Sequence, residues 1–67
     1  MTSASTMSMG DKLRYARGER TLEEVANAVK LTVAMISRLE SDSVKPSYDT
    51  MRKLSQYYGI PVNNLFF

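Results

Sequence analysis

The chain has 67 residues, with nine Lys and Arg against seven Asp and Glu for a net charge of +2, which suits one small, mildly basic domain. It has no Cys and no His, which excludes a disulfide framework and a thiolate zinc site and argues against most His-dependent hydrolytic or metal chemistry. No apolar run approaches the roughly eighteen residues that would cross a bilayer, so no membrane is expected as a partner.

Residues 1–8, from Met1 to Ser8, are small and polar. They lack both the basic start and the apolar stretch of a signal peptide, so a disordered leader is expected there, and the cytoplasm is the expected compartment. Residues 9–67 are expected to form one all-α domain, because apolar and polar residues alternate nowhere for long while helical spacings recur. Ser8 can cap a first helix over 9–18, with Asp11 in its opening turn, Leu13, Ala16 and Arg17 on one face, and Gly18 as its stop.

Thr21-Leu22-Glu23-Glu24 fits the capping-box pattern and opens a second helix over 22–29. Its apolar residues Leu22, Val25, Ala26 and Val29 fall at i, i+3, i+4 and i+7. Thr32 can cap a third helix over 33–40 whose inward residues are Met35, Ile36 and Leu39. After a polar loop from Ser41 to Lys45, Ser47 caps a fourth helix over 48–58. Its stripe is Met51, Leu54 and Tyr58, and Gly59 ends it. Pro61 begins a short fifth helix over 62–66.

Only about three residues, Lys30 to Thr32, join the second helix to the third. Helices joined so tightly cross steeply rather than fold back antiparallel. If Val25, Val29, Leu31, Ile36 and Leu39 fill the angle, then Val33, Ala34, Ser37, Arg38 and Ser41 face outward. An exposed helix held across its neighbour fits the DNA major groove, which is about 12 Å wide.

Several segments occur together with familiar spacings. They are Gly10-Asp11-Lys12-Leu13-Arg14 with Arg17, Glu23-Glu24-Val25-Ala26, Ile36-Ser37-Arg38-Leu39-Glu40, Lys45-Pro46-Ser47, and Leu54 with Gly59-Ile60-Pro61. From about Met9 to Phe66 the chain thereby resembles the lambda-repressor-like, Cro/repressor-type helix-turn-helix family of bacteria and phage. The resemblance implies a compact five-helix DNA-binding domain, acting as a homodimer or as part of a longer regulator, with no cofactor, no metal and no enzymatic activity.

The resemblance also implies roles residue by residue. Arg17 and Glu40 match a pair that salt-bridges the first helix to the end of the third. Val33, Ala34, Ser37 and Arg38 match positions that read base edges. Thr21, Thr32, Met35, Ser41, Ser43 and Lys45 match places that touch the DNA backbone or thymine methyls. Four residues depart from the family pattern. Leu22 stands where Gln usually contacts phosphate, and Val33 where a polar reader is common. Lys30 replaces a turn Gly. Asp42 replaces another and brings a negative charge close to where phosphate is expected.

Arg38 can hold both acceptors of a guanine at once, or it can clamp phosphate. Val33 and Ala34 can pack on thymine methyls or on a protein partner. Among Arg14, Arg20, Lys30, Lys45, Arg52 and Lys53, Lys45 stands out, because it lies beside Ser43 and the N–H groups that open the fourth helix. Leu65 and Phe66 are expected to close the bottom of the core. The same end, marked by Tyr57, Phe66 and Phe67, is the expected dimer contact. The acidic residues Glu23, Glu24, Asp42 and Asp49 are read as scattered at helix starts, where capping and the helix dipole account for them.

The function these features imply is sequence-specific binding of double-stranded DNA by a transcriptional repressor, dimeric on a palindromic operator with helix 33–40 in the major groove. A protein-interaction or antitoxin-like module that kept the fold and binds DNA weakly is the alternative. Either form can act with a regulatory protein partner or a further C-terminal domain.

Overall fold

A hydroxyl side chain opens four of the five helices in the computed structural model, which describes residues 7–67. The helices are α1 (Met9–Arg17), α2 (Leu22–Val29), α3 (Val33–Glu40), α4 (Tyr48–Tyr58) and α5 (Val62–Phe66). Ser8, Thr21, Thr32 and Ser47 each accept a hydrogen bond from the amide three residues on, satisfying a donor that has no partner within its helix. At α1 and α2 the bond is returned, because Asp11 and Glu24 accept from the backbone amides of Ser8 and Thr21. α5 starts on Pro61, whose ring presets the backbone, and has no side-chain cap. No strand occurs among the described residues, so the architecture is all-α as expected.

The helix ends follow a second rule. α2, α3 and α4 are each closed by a residue in the left-handed region, namely Lys30 (φ 59°), Asp42 (φ 60°) and Gly59 (φ 70°). In each case the next amide reaches back five residues to a carbonyl: Leu31 to Ala26, Ser43 to Arg38 and Ile60 to Ser55. This double turn satisfies carbonyls that would otherwise be orphaned at the helix end. α1 stops at Arg17, one residue before Gly18, whose φ of 59° turns the chain toward α2.

The core gathers Leu13 from α1, Val25, Ala26 and Val29 from α2, Ile36 and Leu39 from α3, Leu54 from α4, and Leu65 and Phe66 from α5. Burying side chains of this kind contributes about 1.5–3 kcal/mol each, the principal favourable term in so short a chain. α3 packs on both α1 and α2, while α5 closes the far side against α1 and α4. α3 is thus supported from behind by two helices.

Several sequence expectations change here. Residues 1–6, most of the expected leader, lie outside the described residues, whereas Ser8 is ordered as the cap of α1. Phe66 is buried in the core, as expected of a residue that closes its bottom, so its ring is unavailable as the expected dimer contact. Met35 packs against the core. Its amide is taken up by the Thr32 hydroxyl, so its N–H is unavailable for the expected backbone contact, while the half-buried side chain keeps only part of its surface toward solvent. No helix among the described residues is long and apolar enough to cross a membrane.

Candidate nucleic-acid interface

The period of α3 separates its residues cleanly. Ile36, Leu39 and Glu40 are buried, and Met35 is half-buried. Val33, Ala34, Ser37 and Arg38 are exposed together on the opposite side. Thr21 and Thr32 lie exposed at the starts of α2 and α3; their oxygens already accept amides, which leaves each hydroxyl proton to donate. Past the end of α3, the Ser41 and Ser43 hydroxyls are 2.7 Å apart and share a hydrogen bond, and Ser41 donates to the Arg38 carbonyl. Lys45 is exposed two residues farther on. Four outward α3 residues (two of them apolar), two cap hydroxyls, two serines and one lysine therefore make up an exposed set around α3 and its flanking turns.

Behind that set lies a charged lock. Arg17 Nε and Nη2 donate to the two oxygens of Glu40 at 2.7 and 3.0 Å, a two-pronged pairing that suits the planar guanidinium. Its third nitrogen, Nη1, donates to the Arg20 carbonyl at 2.8 Å. Glu40 is only 6 % exposed and depends chiefly on this partner, with Arg14 Nε farther off at 3.9 Å from its Oε1. These bonds push the Arg17 guanidinium above its ordinary pKa range and keep it charged. Tyr58 lies close by. Burial, with the Glu40 charge adding, pushes its phenol up to about 12, so it is neutral at any ordinary pH.

Asp42 behaves differently from the sequence expectation. Its carboxylate turns toward the amino end of α1, where Oδ1 accepts from the Gly10 amide at 2.9 Å and Oδ2 from the Ser8 hydroxyl at 2.6 Å. The Ser8 and Gly10 hydrogen bonds hold its pKa below the ordinary aspartate value. The charge expected beside phosphate is therefore occupied within the fold. Leu22 packs against the core, and its hydrocarbon side chain has no donor to offer a phosphate. Tyr57 is half-buried, with the Arg20 guanidinium 5.3 Å from its ring centre, so only part of it faces solvent. Phe67 is 76 % exposed.

Two features escaped the sequence reading. Gly10 is buried where α1 crosses the end of α3, and a Cβ there would run into the Glu40 backbone carbonyl. A lone Gly in the first turn of a helix is its only sequence signal. Tyr48 is 68 % exposed just after the Ser47 cap. Its spacing from Met51 would place it inward, but at the first position of α4 it stays exposed.

The helix-turn-helix family model matches residues 13–65, which takes in all of α2 to α4 and most of α1 and α5. The chain belongs to the helix-turn-helix family. It is similar to the HTH-type transcriptional regulator DdrOP3 of Deinococcus deserti, with 36 % identity over 61 residues, covering 88 % of this chain and 47 % of that protein. The chain thus spans about half the length of this curated relative. Both matches bear out the family resemblance drawn from the sequence.

Within this helix-turn-helix, α2 and α3 are joined through Lys30, Leu31 and Thr32, with Lys30 in the left-handed conformation where the family usually has Gly. A residue with a Cβ costs roughly 1–2 kcal/mol there. Leu31 follows and packs inward, and its amide bonds the Ala26 carbonyl at 2.9 Å. Ala26, only 2 % exposed, is small enough to let the two helices approach. The strain at Lys30 is local, and the helix-turn-helix forms around it.

Proposed function

We propose that this chain is the DNA-binding domain of a transcriptional repressor, which occupies a palindromic operator as a homodimer with α3 of each copy in a major groove. The observation that carries this reading is the exposed set Val33, Ala34, Ser37 and Arg38 on a helix whose back is locked by Arg17 and Glu40. Similarity to a transcriptional regulator supports it. In this reading Arg38 takes the two major-groove acceptors of a guanine, while Val33 and Ala34 lie against thymine methyls. Thr21, Thr32 and Lys45 donate to phosphate oxygens, as do Ser41 and Ser43 on exchanging their internal hydrogen bonds, and these contacts set the register. Two-fold pairing, with the exposed Phe67 at the contact, spaces the half-sites about 34–36 Å apart.

Selection of duplexes from a random pool, followed by gel shifts, tests the division of labour. Arg38→Ala is expected to relax preference at one base pair by about 1–3 kcal/mol. Lys45→Ala is expected to weaken all sequences alike and to flatten the salt dependence. If the two substitutions behave the same way, the assignment of base reading to Arg38 fails. The exposed Val33 and Tyr48 favour a second reading, a protein-interaction module with weak DNA affinity. Absence of binding to random duplex at low salt would select it.

A further inference from the structure

We propose that Asp42 is a positioning residue for nucleic-acid binding: by tying the turn after α3 to the amino end of α1, it holds Ser43 and Lys45 in place before phosphate arrives. The inference rests on the DNA-binding reading above and deepens it.

Asp42 closes α3 at φ 60°, with its own amide bonded to the Leu39 carbonyl at 3.2 Å and the next, that of Ser43, to the Arg38 carbonyl at 2.9 Å. Glycine suits this position best, and aspartate is among the few residues that tolerate it. A side chain kept there at some conformational cost needs an offset, and both carboxylate oxygens supply one. They accept from Ser8 and Gly10, which lie 34 and 32 positions away in the chain. The Gly10 amide belongs to the first turn of α1, which has no acceptor within its own helix and favours a negative charge.

The place is also where the two helices come closest, since Gly10 has no room for a Cβ against the Glu40 carbonyl. Asp42 therefore bridges a contact that cannot open without losing both bonds. The loop that follows leads directly to Ser43, bonded to Ser41, and on to the exposed Lys45. Ordering that loop on folding removes an entropic cost that binding would otherwise meet. The charged group that acts on the carboxylate is Arg14 on α1, and it acts in its favour.

The experiment compares the wild-type chain with Asp42→Gly and Asp42→Asn, measuring affinity for a selected duplex across a salt series together with thermal unfolding. Asp42→Gly relieves the backbone and removes the tie. It is expected to weaken binding and to flatten the log–log salt slope by about 0.9, the share of one phosphate. Asp42→Asn can still accept from the Gly10 amide and is expected to retain most of the affinity. In a double-mutant cycle, Lys45→Ala is expected to cost less in the Asp42→Gly background than in the wild type. Wild-type affinity and slope in Asp42→Gly, with or without a lower melting temperature, would overturn the proposal, as would additive effects in the cycle. A wild-type chain that binds no duplex at low salt would instead overturn the DNA-binding reading on which it rests.

Discussion

On its inner side α3 presents Ile36, Leu39 and Glu40 to α1 and α2, all buried, with the one charge among them held by two hydrogen bonds from Arg17. On its outer side Val33, Ala34, Ser37 and Arg38 lie exposed within the same two turns. The inner residues meet neighbours on several elements, so altering one changes the free energy of folding. The outer ones face solvent, so they can vary with little consequence for the fold. A recognition helix needs this asymmetry, because a surface can select a ligand only if the scaffold holds it still.

Substitutions can break or sharpen that contrast. The largest effect is expected for Arg17→Ala, which leaves a buried Glu40 with the Arg14 guanidinium at 3.9 Å and no hydrogen bond from Arg17, and should lower stability by about 3–5 kcal/mol in urea unfolding. A loss below 1 kcal/mol would mean that water replaces the guanidinium and that the inner side is not locked by charge. Gly10→Ala comes next. Forcing a methyl against the Glu40 carbonyl should cost about 1–3 kcal/mol, read from thermal unfolding, unless α1 can slide along α3.

Lys30→Gly works in the other direction. Relief of the left-handed strain at the α2–α3 turn should raise stability by up to about 1 kcal/mol, the strain being partly offset by the greater chain entropy of Gly. A melting temperature unchanged from wild type would show that the turn carries no net strain.

Acid should expose the Asp42 tie through a smaller effect. Its folded pKa lies below the ordinary value of 3.8, so its stabilisation is complete above that value and is lost as pH falls through the lower, folded one. The stability advantage of wild type over Asp42→Asn should therefore shrink between about pH 5 and pH 2. A constant difference would assign the tie to neutral hydrogen bonding. Last, Arg38→Ala, on the outer side, should leave stability within about 0.5 kcal/mol of wild type. A larger loss would place Arg38 in the scaffold.

The beginnings of the helices were legible because their chemistry is local. Ser8, Thr21, Thr32 and Ser47 each reach an amide three residues away, and neighbouring residues alone decide whether they can. The apolar stripes of α2 and α3 were legible for the same reason. Asp42 was not, because its partners lie more than thirty residues earlier in the chain, and the sequence alone placed its charge close to the expected phosphate. Phe66 and Phe67 were legible only in part, because Phe66 was expected both to close the core and to mark the dimer contact. The two are identical in type and adjacent, yet one is in the core and the other is 76 % exposed.

From its sequence the chain is an all-α member of the helix-turn-helix family, since caps, stripes and turn lengths act over three to seven residues and need no distant partner. Tertiary structure alone decided which way Asp42 turns and why residue 10 must be Gly. Those outcomes depend on distances between segments far apart along the chain. Such distances exist only once α1 has docked on α3 and α5 has closed against α1 and α4.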